Sequence, residues 1–162
     1  MQILIGCIRY SFVVLIFLFC FGCNKTPKID FEHARKEILE LHNLQRKHHF
    51  DKDSVGFASK MSEEFVSVNR GIISTPSKSD NIKKYNRYFS SVEFLKWDDV
   101  EEPVIRFSDD GSLAYTIVNK IVSAEYDENG TLIQDSTSFA WVTIYRKYDT
   151  GWKIDCVAST NK

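Results

Sequence analysis

The side chains best able to do chemistry gather in a few short stretches. "HHFDKD" at 48–53 places His48, His49, Asp51 and Asp53 close together, a set that raises the question of a metal ion. Adjacent side chains on a helix point about 100° apart, so His48 and His49 would rarely share one ion. A helix end rich in basic residues, followed by an Asp that caps a second helix, explains the stretch, and no metal is expected. The acids are Asp98 and Asp99 after Trp97, and Asp155 in "WKIDCV". A carboxylate buried in an apolar pocket would be a tuned general base. Asp155, however, alternates with Trp152, Ile154 and Cys156, so it should face outward with Lys153. Asp98 and Asp99 fall at an expected strand end and are read as surface acids. The four His are at 33, 42, 48 and 49, none in the C-terminal half. His42 lies beside an apolar stripe and reads as a half-buried helix residue rather than a base. Cys156 has no sequence-near His to activate it and shares a face with Trp152, Ile154 and Ala158, which makes it a core thiol. These patterns assign no catalytic residue and no cofactor.

The N-terminus carries an address. One basic residue, Arg9, precedes "YSFVVLIFLFCFG", an apolar run of about 13 residues. A spanning helix needs roughly 20, whereas a secretory signal core needs roughly 7–15 behind a positive start. The run ends at Gly22–Cys23, followed by Asn24 and Lys25. This junction resembles a bacterial lipobox, although Cys20 and Phe21 stand where Leu and a small residue are usual. The resemblance implies cleavage after Gly22 and acylation of Cys23 with diacylglyceryl and palmitate-type chains. Two or more chains anchor stably where one is marginal. The expectation is a signal peptide at 1–22, a tether at 23–30 and one domain at 31–162. The protein would be a membrane-anchored lipoprotein of the bacterial cell envelope, on the periplasmic or cell-surface side. An uncleaved anchor and a plain secreted protein are the alternatives. Of four cysteines, Cys7 and Cys20 would leave with the leader and Cys23 would be lipidated, so Cys156 has no partner for a disulfide.

The 162 residues suffice for one ordinary domain, and the net charge is −1. No basic run with interleaved aromatics is present, so nucleic acid is not an expected partner.

These residues must be positioned by a short series of elements. From Asp30, an N-cap, a helix runs through "DFEHARKEILELHNLQRKHHF" with a stripe of Phe31, Ala34, Ile38, Leu41 and Gln45. A second short helix should be capped near Asp51, with Val55, Ala58 and Met61 inward. "EEFVSVNRGIIST" reads as two strands around Asn69–Gly71. "PSKSDNIKKYNRYF" is helical, with Ser77 and Asp80 at capping-box spacing and Ile82, Tyr85 and Phe89 on one face. Everything after is strand, with turns marked by "DDG" at 109–111, "ENG" at 128–130 and "DTG" at 149–151. Helices first and an antiparallel meander second give an α+β class. Apolar residues occupy both parities of the long strands, so the sheet either curls around a cavity or has its back covered by a partner.

This order of elements resembles the nuclear transport factor 2-like superfamily in its SnoaL-like branch. The matching stretches are "ARKEILELHNLQRKHHFD", "FASKMSEEFVSVNRGIIST", "KSDNIKKYNRYF" and "FAWVTIYRKYDTGWKIDCVAST". The resemblance covers about residues 31–160. It implies a cone-shaped, cystatin-like α+β fold with N-terminal helices packed on a curved antiparallel sheet, an apolar pocket between them, and often a homodimer through the sheet. The superfamily includes isomerases, dehydratases and non-catalytic binding domains, so function must come from the site.

The expected pocket lies between the helix at 80–89 and the strand carrying Trp141. Its candidate lining is Tyr85, Phe89, Trp97, Asn119, Trp141 and Tyr145, with Thr143 as a further polar group. Asn119 and Trp141 conflict, because two-residue turns would put them on opposite faces. The expected function is binding of a small apolar ligand or a protein partner without catalysis. The alternatives are an acid/base isomerase or dehydratase, marked by a carboxylate or imidazole in the pocket, and a structural or assembly domain with a solid interior.

Overall fold

The Asp30 side chain accepts the His33 N–H at 3.0 Å and starts helix α1, Phe31–Phe50. The computed structural model describes residues 29–161; the leader and Cys23 lie outside the described residues. Ala34, Ile38, Leu41 and Gln45 of the α1 stripe are buried, whereas Phe31 at its start is exposed. Lys47, His48 and His49 occupy the last turn, where unpaired carbonyls favour positive charge. Helix α2, Ser54–Ser59, is capped by Asp53 rather than Asp51. Phe57 and Ala58 are buried in the core, Ala58 as expected, whereas Val55 is exposed. Gly56 fits closely under this cap: its N–H donates to Asp53 at 2.7 Å, and a β-carbon would collide with Asp53 and His48.

Strands β1 (Met61–Asn69) and β2 (Ile72–Ser74) form a hairpin around Arg70–Gly71, both at positive φ (50° and 75°). Helix α3, Lys78–Ser91, starts at Ser77, which accepts the Asp80 N–H and donates its hydroxyl to the Asp80 carboxylate. Then come β3 (Glu93–Asp99), β4 (Val104–Phe107), β5 (Leu113–Glu128), β6 (Thr131–Tyr148) and β7 (Gly151–Asn161). The β5–β6 hairpin turns on Asn129–Gly130, at φ 55° and 82°, the pair a type I′ turn requires. From there the register runs without a break to Leu113↔Arg146.

The seven strands make one sheet in the order β2-β1-β7-β6-β5-β3, with β4 also on β5. It is mixed rather than wholly antiparallel, because β1 pairs parallel with β7. The whole α3-to-β6 segment separates those two strands, which gives the long crossover that parallel pairing needs.

Two irregularities decide which side chains face the helices. In β3 the register slips between Phe94 and Lys96, so Phe94 and Trp97, three residues apart, are both buried. In β7 it slips opposite Ile144 and Tyr145: Ile154 pairs with Tyr145, but Cys156 pairs with Ile144. A bulge of this kind sets two residues against one and reverses the alternation beyond it. Cys156 therefore does not share the face of Trp152 and Ile154. It lies half-buried on the outer face, while Val157 turns inward.

Candidate ligand-binding site

A cavity of about 420 Å3 opens between α3, the end of α1 and the helix-facing side of the sheet. Its volume falls at the lower end of the roughly 300–1,000 Å3 usual for small-molecule sites. The apolar walls combine aromatic side chains, among them Phe57, Phe65, Tyr85, Trp97, Phe139 and Trp141, with the aliphatic Met61, Val122, Ile154 and Val157. Asn69, Arg70, Lys84 and Asn161, all exposed, belong to the same lining, as do Gln45 and His49 from the buried side of α1. The lining residues include no Asp, Glu or Cys.

The sheet register settles the placement of the expected pocket residues. Val118 pairs with Trp141 and Asn119 with Ala140, so Trp141 faces the helices and Asn119 the opposite side. Asn119 is exposed there and cannot orient a ligand in the cavity. Tyr85, Trp97 and Trp141 line the cavity. Phe89 and Tyr145 are fully buried and belong to the core behind it. Thr143 is buried and also stands apart from the lining. Burial pushes the phenols of Tyr85 and Tyr145 up to about 12, so both stay protonated at neutral pH.

His49, which sequence reasoning treated as part of a basic helix end, is the polar group most enclosed by the site. Its ring lies 4.5 Å from Trp97, 4.8 Å from Phe89 and 5.0 Å from Phe57, centroid to centroid. Nδ1 lies 2.7 Å from the Gln45 carbonyl oxygen, which can only accept, so Nδ1 carries the proton and Nε2 keeps a lone pair. Burial holds the imidazole down to about 4, with the charges of Lys120 and His48 adding to the effect. The ring is therefore neutral at physiological pH, an acceptor rather than a cation. His48 turns away to Asp53, with Nδ1 3.2 Å from the carboxylate. Among the described residues, no group of three or more His, Cys, Asp or Glu is placed to hold a metal ion.

Behind the aromatic wall lies a charge cluster that sequence reasoning did not assemble. Asp99 accepts a 2.7 Å hydrogen bond from His42 Nε2 and pairs with Lys120 Nζ at 2.5 Å. Asp99 is thus a half-buried partner and not a surface acid, and His42 is 3% exposed rather than half-buried. Burial raises the Asp99 carboxyl, but His42 and Lys120 outweigh it and hold the group below its ordinary value. Lys120 is 1% exposed, and its burial lowers the ammonium against the pull of Asp99. Lys120 sits in the inward row of β5 with Ala114, Thr116, Val118 and Val122, and that parity was its one signal in the sequence. Trp97 lines both the large cavity and the small crevice formed by His42, Arg46, Asp99 and Lys120, so it separates the cluster from the cavity.

No protein-family model and no curated protein sequence matches the chain. Solved structures do resemble it. A nuclear transport factor 2-like superfamily protein from Salmonella enterica serovar Typhimurium superposes with TM-score 0.67 at 18% identity, over 80% of this chain and 92% of the other. A ketosteroid isomerase-like protein from Erwinia carotovora atroseptica gives 0.61 at 13% identity, over 76% and 92%. A nuclear transport factor 2-like protein with a cystatin-like fold from Novosphingobium aromaticivorans gives 0.58 at 12%, over 80% and 82%. At such identities the likeness establishes the fold: this chain is an α+β domain with the nuclear transport factor 2-like, cystatin-like architecture.

Proposed function

We propose that the domain binds a small apolar ligand, non-covalently and without turnover, in the cavity between α3 and the sheet. The observation that carries this reading is the lining itself: aromatic and aliphatic walls, neutral polar groups such as Gln45 and His49, cations only at the exposed Arg70 and Lys84, and no carboxylate or thiol. The 420 Å3 cavity also argues against an assembly domain with a solid interior.

An isomerase or dehydratase reading draws on His49 and on the ketosteroid isomerase-like neighbour. His49 stands in the lining without any Asp or Glu beside it to share proton transfer, which favours binding over catalysis.

The cellular setting proposed is the bacterial envelope, with the domain tethered through acylated Cys23. Support comes from the short apolar run and the Gly22–Cys23 junction. A homodimer through the outer sheet face is also proposed. That face exposes Tyr115, Ile117, Val142 and Ile144, which the register makes neighbours, with Val104 beside Ile117.

The test is calorimetric titration with 2-(1-naphthyl)ethanol, a neutral aromatic probe. Wild-type protein should bind it, and Val157→Trp, which fills the cavity from β7, should abolish binding while remaining folded. Undiminished binding by the filled variant would refute the site.

A further inference from the structure

We propose that the ligand of this cavity is an amphiphile with one anionic group, a carboxylate, held at the rim by Arg70 and Lys84. This rests on the binding reading above and adds the chemical class of ligand.

Charge at the cavity is one-sided. Arg70 and Lys84 are its two permanent cations, and no acid is among the lining residues. The chain as a whole carries net charge −1, so the asymmetry is local. Around Lys84, α3 bears Lys78, Lys83 and Arg87 against one acid, Asp80, which is engaged with Ser77 at the helix start. Six other cationic residues, Arg46, Lys47, Lys52, Lys120, Arg146 and Lys147, pair with carboxylates. Arg70 and Lys84 are among the described Lys and Arg residues that have no such partner, as are Lys78, Lys83 and Arg87 of α3.

Arg70 is also an unfavourable residue for its own turn. It sits at φ 50° in the β1–β2 hairpin, where a type I′ turn prefers Asn, Asp or Gly. An arginine held in the left-handed region costs local stability, and such strain tends to collect at ligand sites. Its planar fork of donors suits a carboxylate, which it can bind through two parallel hydrogen bonds. Lys84 adds a point charge from α3, its Nζ 5.5 Å from the centroid of the Tyr85 ring that walls the cavity.

The interior sets the other half of the ligand. Gln45 and the neutral His49 offer hydrogen bonds but no charge, and most of the remaining lining is aromatic or aliphatic. A charged group would lose its hydration there, whereas at the rim it stays partly wet and paired. The fitting molecule is therefore an apolar or aromatic body of one or two fused rings inside, with its carboxylate between Arg70 and Lys84.

The test uses the full chain in mild detergent, with blank micelles subtracted, and a matched pair of probes. Calorimetry compares 1-naphthaleneacetate with 2-(1-naphthyl)ethanol at neutral pH. Wild type should bind the acid at least about tenfold more tightly, with a preference that shrinks as salt rises. Arg70→Asn supplies a residue the turn favours and should not lower the melting temperature; combined with Lys84→Gln it should bring the acid down to the alcohol's affinity. Equal wild-type affinity for the two probes, or a preference that survives the double substitution, overturns the anion proposal and leaves the pocket reading intact. Binding of neither probe overturns the pocket reading, and this one with it.

Discussion

Lys120 Nζ lies 3.7 Å from the centroid of the Trp97 ring. A nearly inaccessible ammonium thus rests on an indole that also walls the ligand cavity, while Asp99 pairs with its charge. Cation–π contact and ion pair together offset the cost of burying the charge. The arrangement makes the cluster a support for Trp97.

The two partners of that cluster should respond unequally to removal. Asp99→Ala leaves Lys120 buried without its counter-ion and should cost about 3 kcal/mol or more, because an uncompensated buried charge is expensive. Lys120→Met keeps the length of the side chain against Trp97 and removes the charge, leaving the half-buried Asp99 its bond to His42; it should cost no more than about 1 kcal/mol. Urea denaturation of the two variants measures the difference. Equal losses would show that the ion pair does not govern this site.

The buried imidazole of His49 gives folding stability a defined pH dependence. Its value in the folded protein, about 4, lies below the ordinary 6.5, so between the two the unfolded chain binds more protons. Its contribution is fully present above about pH 6.5 and is lost as pH falls toward 4. The full span is on the order of 3 kcal/mol. His49→Gln should flatten the stability profile between pH 6.5 and 4, even if its absolute stability is lower. A slope unchanged by the substitution would assign the effect to other groups.

On the outer sheet face, a charge placed at Ile117 should prevent self-association. Ile117 is 45% exposed and lies beside Val104 and Val142, so Ile117→Lys costs the isolated domain little. In a two-fold dimer each substitution is repeated across the axis, which doubles its effect. Light scattering should show a dimer for wild type and a monomer for the variant. A wild-type monomer at tens of micromolar would count against the dimer.

For Cys23, substitution by Ser removes the thiol that would be acylated. Expressed in a bacterial host that processes lipoproteins, Cys23→Ser should lose labelled fatty acid and leave the membrane fraction. Retained acylation would end the lipoprotein reading.

Much of the architecture was legible because it rests on local chemistry. Asp30 and Ser77 announce helix starts through caps that involve only the next three residues. Asn129–Gly130 announces a hairpin because few residue pairs tolerate two positive φ values in succession. Periodicity placed Ala34, Ile38 and Leu41 inward, and Tyr85 and Trp141 were named for a cavity they do line.

Tertiary structure decided the rest, because strand parity is a relative quantity. A single inserted residue exchanges the two faces of a strand, and nothing in the local sequence of β3 or β7 declares such an insertion. The slip in β7 sends Cys156 to the outer face, and the slip in β3 lets both Phe94 and Trp97 point in. The intact β5–β6 register sends Asn119 out and Lys120 in. Asp99 and His42 stand 57 positions apart, and only packing of α1 on β3 converts a surface-looking acid and a helix histidine into one cluster with Lys120. The cap at Asp53 and the pairing of His48 with it depend likewise on where α1 stops, which left His49 free to turn into the cavity.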